Sequence, residues 1–221
     1  QPFEVIVSPD GKYVYVAASG EDAVSVFTRH TETGALEYHC FISRTELDGV
    51  RSLVVSEAGD MVYAVSFTGD ALVALSVQEC GGLEFKSAIK HGDSDGAVTG
   101  LDGARDVAIS PDGNNLYVAS WGSNAITWFK LLEGEPVFAG SFQKGGDDGI
   151  EGLGRASGVA VSPDGRYVYV AGADPGDDAI VVFRRDECGD LSHVTTLFDG
   201  QDGVSGLHDV RDIVVSPDGL S

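Results

Sequence analysis

Residues 159–183, VAVSPDGRYVYVAGADPGDDAIVVF, decide the fold of this chain. Three short apolar runs are separated there by turn residues: Pro-Asp-Gly after the first run, and Asp-Ala at the start of the third. Proline presets φ in such a turn and glycine accepts a positive φ, so the first two runs are predicted to form a β-hairpin. The alternation in YVYVA is typical of a strand. The stretch therefore predicts three consecutive antiparallel strands.

The same pattern recurs along the chain at intervals of 48 to 54 residues. A serine ends the first apolar run of each copy, and in four copies a tyrosine follows seven residues later. The marker serines are Ser8, Ser56, Ser110, Ser162 and Ser216. A fourth run follows a glycine-bearing turn, as in TETGALEY and DECGDLSH, and no stretch keeps a helical apolar period. Four-stranded units of about 50 residues predict an all-β β-propeller, whose blades bury their faces against one another.

The repeat register divides residues 1–221, a single domain, into four units and the start of a fifth. The predicted repeats are 3–48, 49–102, 103–154, 155–208 and an incomplete fifth, 209–221. Both ends of the chain supply a first strand, so an exchange of strands between the ends would not close a ring. We therefore expect four four-stranded blades plus the first strand of a fifth, in a larger ring completed by the rest of a longer chain or by a second copy.

The pattern SPDG-x-x-VYVA, then DA-x-x-VF, then DG-x-x-GL-x-x-AR, resembles the YVTN-type repeats of lactonase-like β-propellers. It is carried best by SPDGKYVYVAASGEDAVSVF, residues 8–27, and by the equivalent residues 162–183, and it covers essentially the whole chain. The resemblance implies a propeller fold, usually of seven blades. Its members include 6-phosphogluconolactonase-like and muconate-lactonizing enzymes, and many secreted or surface propellers without known activity.

The chain is strongly acidic, with 14 basic and 35 acidic residues and a formal net charge of −21 at pH 7. This balance argues against nucleic acid or an anionic membrane surface as a partner, because both require a positive face. No apolar run reaches the roughly 18 residues of a membrane span. The charge fits a protein in a salty or calcium-containing medium. We expect an exported protein that is extracellular, at the cell surface or periplasmic.

The loops that lead from each fourth strand to the next first strand are rich in Asp-Gly. Calcium prefers several carboxylate and carbonyl oxygens, with glycine allowing the sharp turn between them. The candidate metal ligands are the pairs Asp93 with Asp95, Asp147 with Asp148, and Asp199 with Asp202. The alternative is that these aspartates accept hydrogen bonds from backbone amides within their own turns. Calcium is thus the one cofactor that the sequence suggests.

Arginine recurs just before the first strand, where a propeller has its channel mouth. Arg51, Arg105 and Arg211 are equivalent, whereas Ser157 takes this place in the fourth unit and Arg155 precedes it by two residues. One interpretation is a structural ion pair with a loop carboxylate such as Asp102 or Asp209. The other is a cationic ring that receives a substrate carboxylate or a lactone oxyanion. His208, beside Asp209, is the histidine that could act there as a general base.

The cysteines and one tryptophan have predicted structural places. Cys80 and Cys188 occupy equivalent turns two blades apart, too far for a disulfide, and Cys40 lies in a fourth strand. Trp128 lies in an alternating third strand and is expected in the core.

Two functions remain open from the sequence. The first is a non-enzymatic scaffold or binding module for a protein or small-molecule ligand, stabilised by calcium. The second is a lactone hydrolase acting at the channel mouth through the candidate arginines and His208.

Overall fold

A computed structural model describes residues 1–175 and 178–219 and confirms the all-β architecture. Each of four antiparallel sheets contains four strands that pair in chain order, and we call them blades 1 to 4. Blade 1 consists of β1 (Pro2–Val7), β2 (Tyr13–Ala18), β3 (Ala23–Arg29) and β4 (Leu36–Ser43). Blade 2 consists of β5 (Val50–Val55), β6 (Met61–Ser66), β7 (Ala71–Val77) and β8 (Leu83–Lys90).

Blades 3 and 4 repeat this arrangement. Blade 3 consists of β9 (Ala104–Ile109), β10 (Asn115–Ser120), β11 (Ala125–Leu132) and β12 (Glu135–Gln143). Blade 4 consists of β13 (Ala156–Val161), β14 (Tyr167–Gly172), β15 (Ala179–Arg185) and β16 (Leu191–Phe198). The helical segments of the described residues are a 3-10 turn, Thr45–Leu47, and a single irregular turn, Asp93–Gly96, in which Ser94 and Asp95 have positive φ. None of them has the length and apolar character of a membrane span.

Consecutive blades pack against each other through their first strands: β1 against β5, β5 against β9, and β9 against β13. Each of the three interfaces contains its own hydrophobic core, made by residues of both blades. The tyrosine of the repeat lies at the centre of each core, and Tyr15, Tyr63 and Tyr117 are almost completely buried. The apolar positions of the sequence repeat therefore form interfaces between blades.

The face of blade 1 that has no neighbouring blade in the structure remains open. Its apolar side chains include Val5, Val7 and Phe41, which are 60%, 48% and 59% exposed. The equivalent face of blade 4 is partly covered by residues 210–216, whose backbone passes close to Gly158. These residues run beside β13 without forming a strand ladder. A first strand pairs only with the second strand of its own blade, and the sequence contains no second strand for the fifth unit.

Two of these tyrosines also tie their blade to the rim of the next, whereas the buried hydroxyl of Tyr15 has no hydrogen-bond partner among the described residues. The hydroxyl of Tyr63 donates to the carbonyl of Gly134 at 3.0 Å, and that of Tyr117 donates to the carbonyl of Gly189 at 2.9 Å. Both acceptors lie in the turn between the third and fourth strands of the following blade. These hydrogen bonds fix the angle between neighbouring sheets on the face opposite the channel mouth.

Near the channel mouth, the Asp or Asn that precedes each third strand links its blade to the next unit. Its side-chain oxygen accepts a hydrogen bond from a backbone N–H just before the following first strand. We call this contact the interblade clamp. The four clamps are Asp22 to Gly49 (3.0 Å), Asp70 to Gly103 (2.8 Å), Asn124 to Arg155 (2.7 Å) and Asp178 to Asp209 (3.1 Å). The donor residue has a positive φ in every clamp, between 50° and 67°.

The predictions for the cysteines and for Trp128 are confirmed. The three cysteines are free thiols, with Cys40 in β4 and both Cys80 and Cys188 exposed in turns before fourth strands. Trp128 is 7% exposed in β11, and its indole N–H donates to Asp190 at 3.1 Å.

Candidate functional site

A cavity of about 370 Å³ lies at the channel mouth, between the first strands of the four blades. The turns between second and third strands and the loops that enter first strands surround it, because antiparallel order puts both on the same side of every blade. Its lining residues are Phe3, Glu4, Val5, Arg51, Ser52, Arg105, Asp106, Ser157, Arg211 and Asp212. The cavity therefore contains all three arginines that the sequence predicted to be equivalent.

A β-bulge in each first strand explains why two consecutive side chains line the cavity. The extra residues of the four bulges are Phe3, Arg51, Arg105 and Ser157. In a regular strand, neighbouring side chains point to opposite faces, whereas a bulge redirects one of them. Arg105 and Asp106 consequently both border the same space, as do Arg51 and Ser52. The bulge gives the mouth one layer of guanidinium groups and, beside it, a layer of carboxyl and hydroxyl groups.

The guanidinium groups rest on aromatic rings. The guanidinium of Arg51 lies between the rings of Phe3 and Phe67, 4.4 and 4.3 Å from their centroids. Three other guanidinium groups surround Trp121, at 4.7 Å for Arg105, 5.4 Å for Arg155 and 5.3 Å for Arg211. Cation–π contacts of this kind hold a cation in place and leave its N–H groups available for a ligand.

The predicted ion pair is found for Arg211, whose guanidinium lies 2.7 Å from a carboxylate oxygen of Asp209. In the described part of the chain, no carboxylate lies within ion-pair distance of Arg51 or Arg105. The Nε of Arg51 is buried and has no hydrogen-bond partner among these residues. Burial lowers the pKa of Arg105, and the positive charges of Arg211 and Arg51 lower it further. Arg51 and Arg211 thus repel Arg105 in the cavity, while the negative charges of Asp106 and Asp209 partly offset this repulsion.

The carboxyl layer links the blades by hydrogen bonds. Asp106 accepts from Val159 N–H of blade 4 at 2.8 Å and from the hydroxyl of Ser52 of blade 2 at 2.8 Å. Glu4 accepts in the same way from Leu53 N–H of the next blade. Burial raises the pKa of Asp106 to about 6, and the negative charges of Glu4 and Asp212 add to the rise. Burial also raises the pKa of Glu4.

His208 lies in the loop before the fifth unit. Its Nδ1 is 3.2 Å from a carboxylate oxygen of Asp178, and its side chain is exposed. The same Asp178 accepts the clamp hydrogen bond from Asp209. The structure therefore brings His208 to a buried carboxylate at the mouth face, while the cavity itself is lined by the arginines. A role for His208 as a general base stays a prediction.

The predicted calcium ligands lie in loops on the mouth face. Asp93 accepts from Lys90 N–H at 2.8 Å, and Asp199 accepts from Leu207 N–H at 3.0 Å, as aspartates that stabilise turns do. Asp147 and Asp148 are exposed, whereas Asp95 and Asp202 have positive φ angles. Across residues 1–175 and 178–219, no three acidic, histidine or cysteine side chains come together as a metal-ligand set. Calcium binding by these loops stays a prediction.

Sequence reasoning missed most of the residues of the site other than the arginines and Ser157, and it named Arg155 without assigning it a contact. Phe67 and Trp121 follow their second strands at equivalent positions, and the recurrence of a large aromatic ring there was a usable signal. Arg155 reaches Trp121 from a different register position and so supplies the cation that Ser157 lacks. Asp106 lines the cavity because of the bulge at Arg105. We found no sequence pattern that predicts this bulge.

Comparisons with known proteins agree with this architecture. The sequence model described as "Lactonase, 7-bladed beta-propeller" matches residues 1–148. An uncharacterized protein of Staphylococcus aureus is 25% identical over 181 residues, which are 81% of this chain and 49% of that protein. The chain thus spans about half the length of this relative.

Two solved structures have the same fold. The periplasmic gluconolactonase PpgL of Pseudomonas aeruginosa superposes with a TM-score of 0.75 at 24% identity, over 90% of this chain and 55% of that one. A protein from Lactobacillus plantarum gives a TM-score of 0.73 at 21% identity, over 89% and 57%.

Proposed function

Because the chain belongs to the seven-bladed lactonase β-propeller family, we propose that its channel mouth binds a small ligand bearing a carboxylate or a phosphate. The observation that carries this proposal is the meeting of Arg51, Arg105 and Arg211 around one cavity, two of them without a carboxylate partner in the described residues. Guanidinium groups bind carboxylate and phosphate through paired hydrogen bonds. An anion in the cavity would accept from these donors and relieve the repulsion among the cations.

The scarcity of basic residues in this acidic protein supports an anionic ligand at the channel mouth. Only 14 basic residues occur in 221, and three of them line one cavity of a chain with a net charge of −21. Elsewhere, cations neutralise nearby carboxylates, as Arg185 does with Asp112 at 2.6 Å. Glu4, Asp106 and Asp212 share the cavity with the arginines, and an anion bound to the guanidinium groups would further reduce the repulsion among them.

The binding proposal agrees with the first sequence hypothesis, a binding module, and leaves calcium stabilisation as a separate proposal. The loop aspartates supply the oxygen ligands that calcium prefers. Thermal unfolding with calcium and with EGTA tests this idea. A higher midpoint with calcium, lost in the Asp199→Asn variant, would support it, and equal midpoints would contradict it.

A second candidate function, lactone hydrolysis, is supported by the carboxyl group of Asp106 beside the arginines. With a pKa raised to about 6, this group can exchange a proton near neutral pH. The arginines would stabilise the oxyanion formed when water adds to the lactone carbonyl carbon. The ring C–O bond then breaks, and the proton taken from water passes to the leaving oxygen. The activity of the whole protein remains a proposal, since the chain spans about half of its relative.

Calorimetric titration with gluconate and with inorganic phosphate tests the binding proposal. The variant is Arg105→Gln, and the matched control is Arg166→Gln, which removes an exposed guanidinium from a turn on the opposite face. We expect at least a tenfold loss of affinity in Arg105→Gln and little change in the control, with weaker binding at higher salt. Equal affinity in the two variants would contradict the proposed site.

Hydrolysis is tested with D-glucono-δ-lactone and the Asp106→Asn variant. We expect this variant to lose turnover at least a hundredfold while its affinity for gluconate stays within a fewfold of wild type. Loss of binding and turnover together would assign Asp106 to the structure of the cavity. Full turnover in Asp106→Asn would overturn the acid–base role.

A further inference from the structure

Cys40 and Cys80 meet at the rim between blades 1 and 2. Cys40 lies in β4 and is partly buried, whereas Cys80 is exposed in the turn between β7 and β8. A Cβ atom built on Gly82 would lie 3.7 Å from the Sγ of each cysteine. The two sulfur atoms are therefore separated by no more than twice that distance, although they are 40 positions apart in the sequence.

A contact of the same kind is made at the next interface, between blades 2 and 3. The residue equivalent to Cys40 in blade 2 is Ser87, and its hydroxyl hydrogen-bonds to Glu135, next to the rim turn of blade 3. The fourth strand of one blade thus touches the turn between the third and fourth strands of the next. Between blades 1 and 2 this contact brings together the thiols of Cys40 and Cys80. Between blades 2 and 3 it brings together the hydroxyl of Ser87 and the carboxylate of Glu135.

Blade 4 contains a natural control. Cys188 occupies the same turn position as Cys80, but the residue equivalent to Cys40 in blade 3 is Gly140, which pairs with Trp128. In the described part of the chain, no sulfur lies opposite Cys188. Any chemistry that needs two thiols is therefore confined to the first interface.

We propose that Cys40 and Cys80 form a redox site, a dithiol that a small disulfide oxidant converts into a disulfide joining blade 1 to blade 2. With oxidised glutathione, the exposed Cys80 thiolate attacks one sulfur and releases one glutathione thiolate. The Cys40 thiolate then displaces the second glutathione from the mixed disulfide. Two protein thiols lose two electrons and two protons, and one oxidised glutathione becomes two reduced molecules.

The local geometry suits this order of events. Cys80 is exposed and accessible for the first attack, whereas Cys40 is partly buried and burial raises its pKa, so Cys80 is the better first nucleophile. A disulfide needs sulfur atoms about 2 Å apart, so the turn has to move toward β4. Gly81, with a φ of +82°, and Gly82 follow Cys80 directly in this turn.

The experiment incubates the protein with oxidised glutathione at pH 8 and counts free thiols by mass after alkylation. Cys188→Ser is expected to lose two hydrogens and to give, after digestion, a peptide pair linked through Cys40 and Cys80. Wild type is expected to give the same linked pair and a glutathione adduct on the exposed Cys188. Cys40→Ser and Cys80→Ser, each made in the Cys188→Ser background, are expected to carry glutathione on the one remaining thiol and to form no internal link. Dithiothreitol should reverse the link.

Thermal unfolding gives a second readout. The linked wild type is expected to melt roughly 5 to 15 °C above the reduced protein, because the cross-link restricts the unfolded chain. Separate glutathione adducts on Cys40 and Cys80 in wild type, or an internal link that involves Cys188, would overturn the proposal. So would a linked protein that melts at or below the temperature of the reduced form.

Discussion

The interblade clamps and the channel mouth occupy fixed positions in the same repeat. The residue type at the clamp position is nearly the same in every blade, whereas the residue type at the mouth differs from blade to blade. The clamp acceptor is Asp or Asn in all four units, and its partner is always a backbone N–H. At the mouth, the bulge residue is Phe3, Arg51, Arg105 or Ser157. A contact with the backbone tolerates little change in its acceptor, whereas the side chains around a cavity can differ from blade to blade.

This contrast separates stability from binding. The clamps use the shortest side chains that reach the neighbouring backbone, and they satisfy donors beside the entry to each first strand. The mouth collects arginines that repel one another, and two of them, Arg51 and Arg105, have no carboxylate within ion-pair distance in the described residues. A region that is unfavourable in the absence of ligand and varies between repeats is typical of a functional site.

The largest effect is expected at a clamp. Asp70→Ala removes the acceptor for Gly103 N–H and places alanine at a φ of 50°, so we expect a loss of about 2 to 3 kcal/mol in the free energy of unfolding. Asp70→Asn is the matched control, since Asn124 makes the same contact, and it should lose less than about 1 kcal/mol. Urea unfolding measures both, and equal losses would show that the clamp depends on charge.

A smaller effect is expected from pH and Asp106. Its pKa of about 6 exceeds that of an unfolded aspartate, so the folded state binds more protons between about pH 4 and pH 6. Its contribution to stability is full below pH 4 and is lost as pH rises through 6, by an amount on the order of 2 kcal/mol. Urea unfolding of wild type and Asp106→Asn should show that the free energy of unfolding of the variant increases relative to wild type as the pH rises from 4 to 6. A stability difference that is constant with pH would contradict this prediction.

The smallest effect is expected from Arg105→Gln on stability. Because Arg211 and Arg51 repel this guanidinium, its removal should change the free energy of unfolding by less than about 0.5 kcal/mol, and in the stabilising direction at low salt. The urea midpoint at two salt concentrations measures the change. A loss as large as that of Asp70→Ala would assign the arginine to the framework and remove the distinction between the two regions.

The fold could be predicted from the sequence because the same pattern of strands and turns recurs in four successive repeats. The Pro-Asp-Gly turns, the buried tyrosines and the alternating runs specify hairpins whose apolar faces need neighbours, and Tyr15, Tyr63 and Tyr117 occupy the predicted cores. The arginines of the mouth could be predicted for the same reason. Their environment could not, since the ion pair expected of all of them occurs for Arg211 alone among the three.

What escaped prediction depends on contacts between blades. Arg155 and Trp121 are distant in the sequence and meet because two loops converge on one face. Asp106 lines the cavity only because an extra residue in β9 shifts the alternation. The proximity of Cys40 and Cys80 needs both the register of β4 and the path of a turn in the next blade. Such contacts depend on how the blades pack together, and no repeating residue pattern in either segment indicates them.

The three hydrophobic cores have a consequence for how the chain folds. Because each core is made by two neighbouring blades, an isolated blade has nothing against which to bury its apolar faces. Stability therefore accumulates interface by interface, as in a linear array with nearest-neighbour coupling. A blade leaving the ribosome has to keep its apolar face hydrated until the following blade has been synthesised. Blades 2 and 3, each covered on both sides, should then have the slowest-exchanging backbone amides in the described part of the chain.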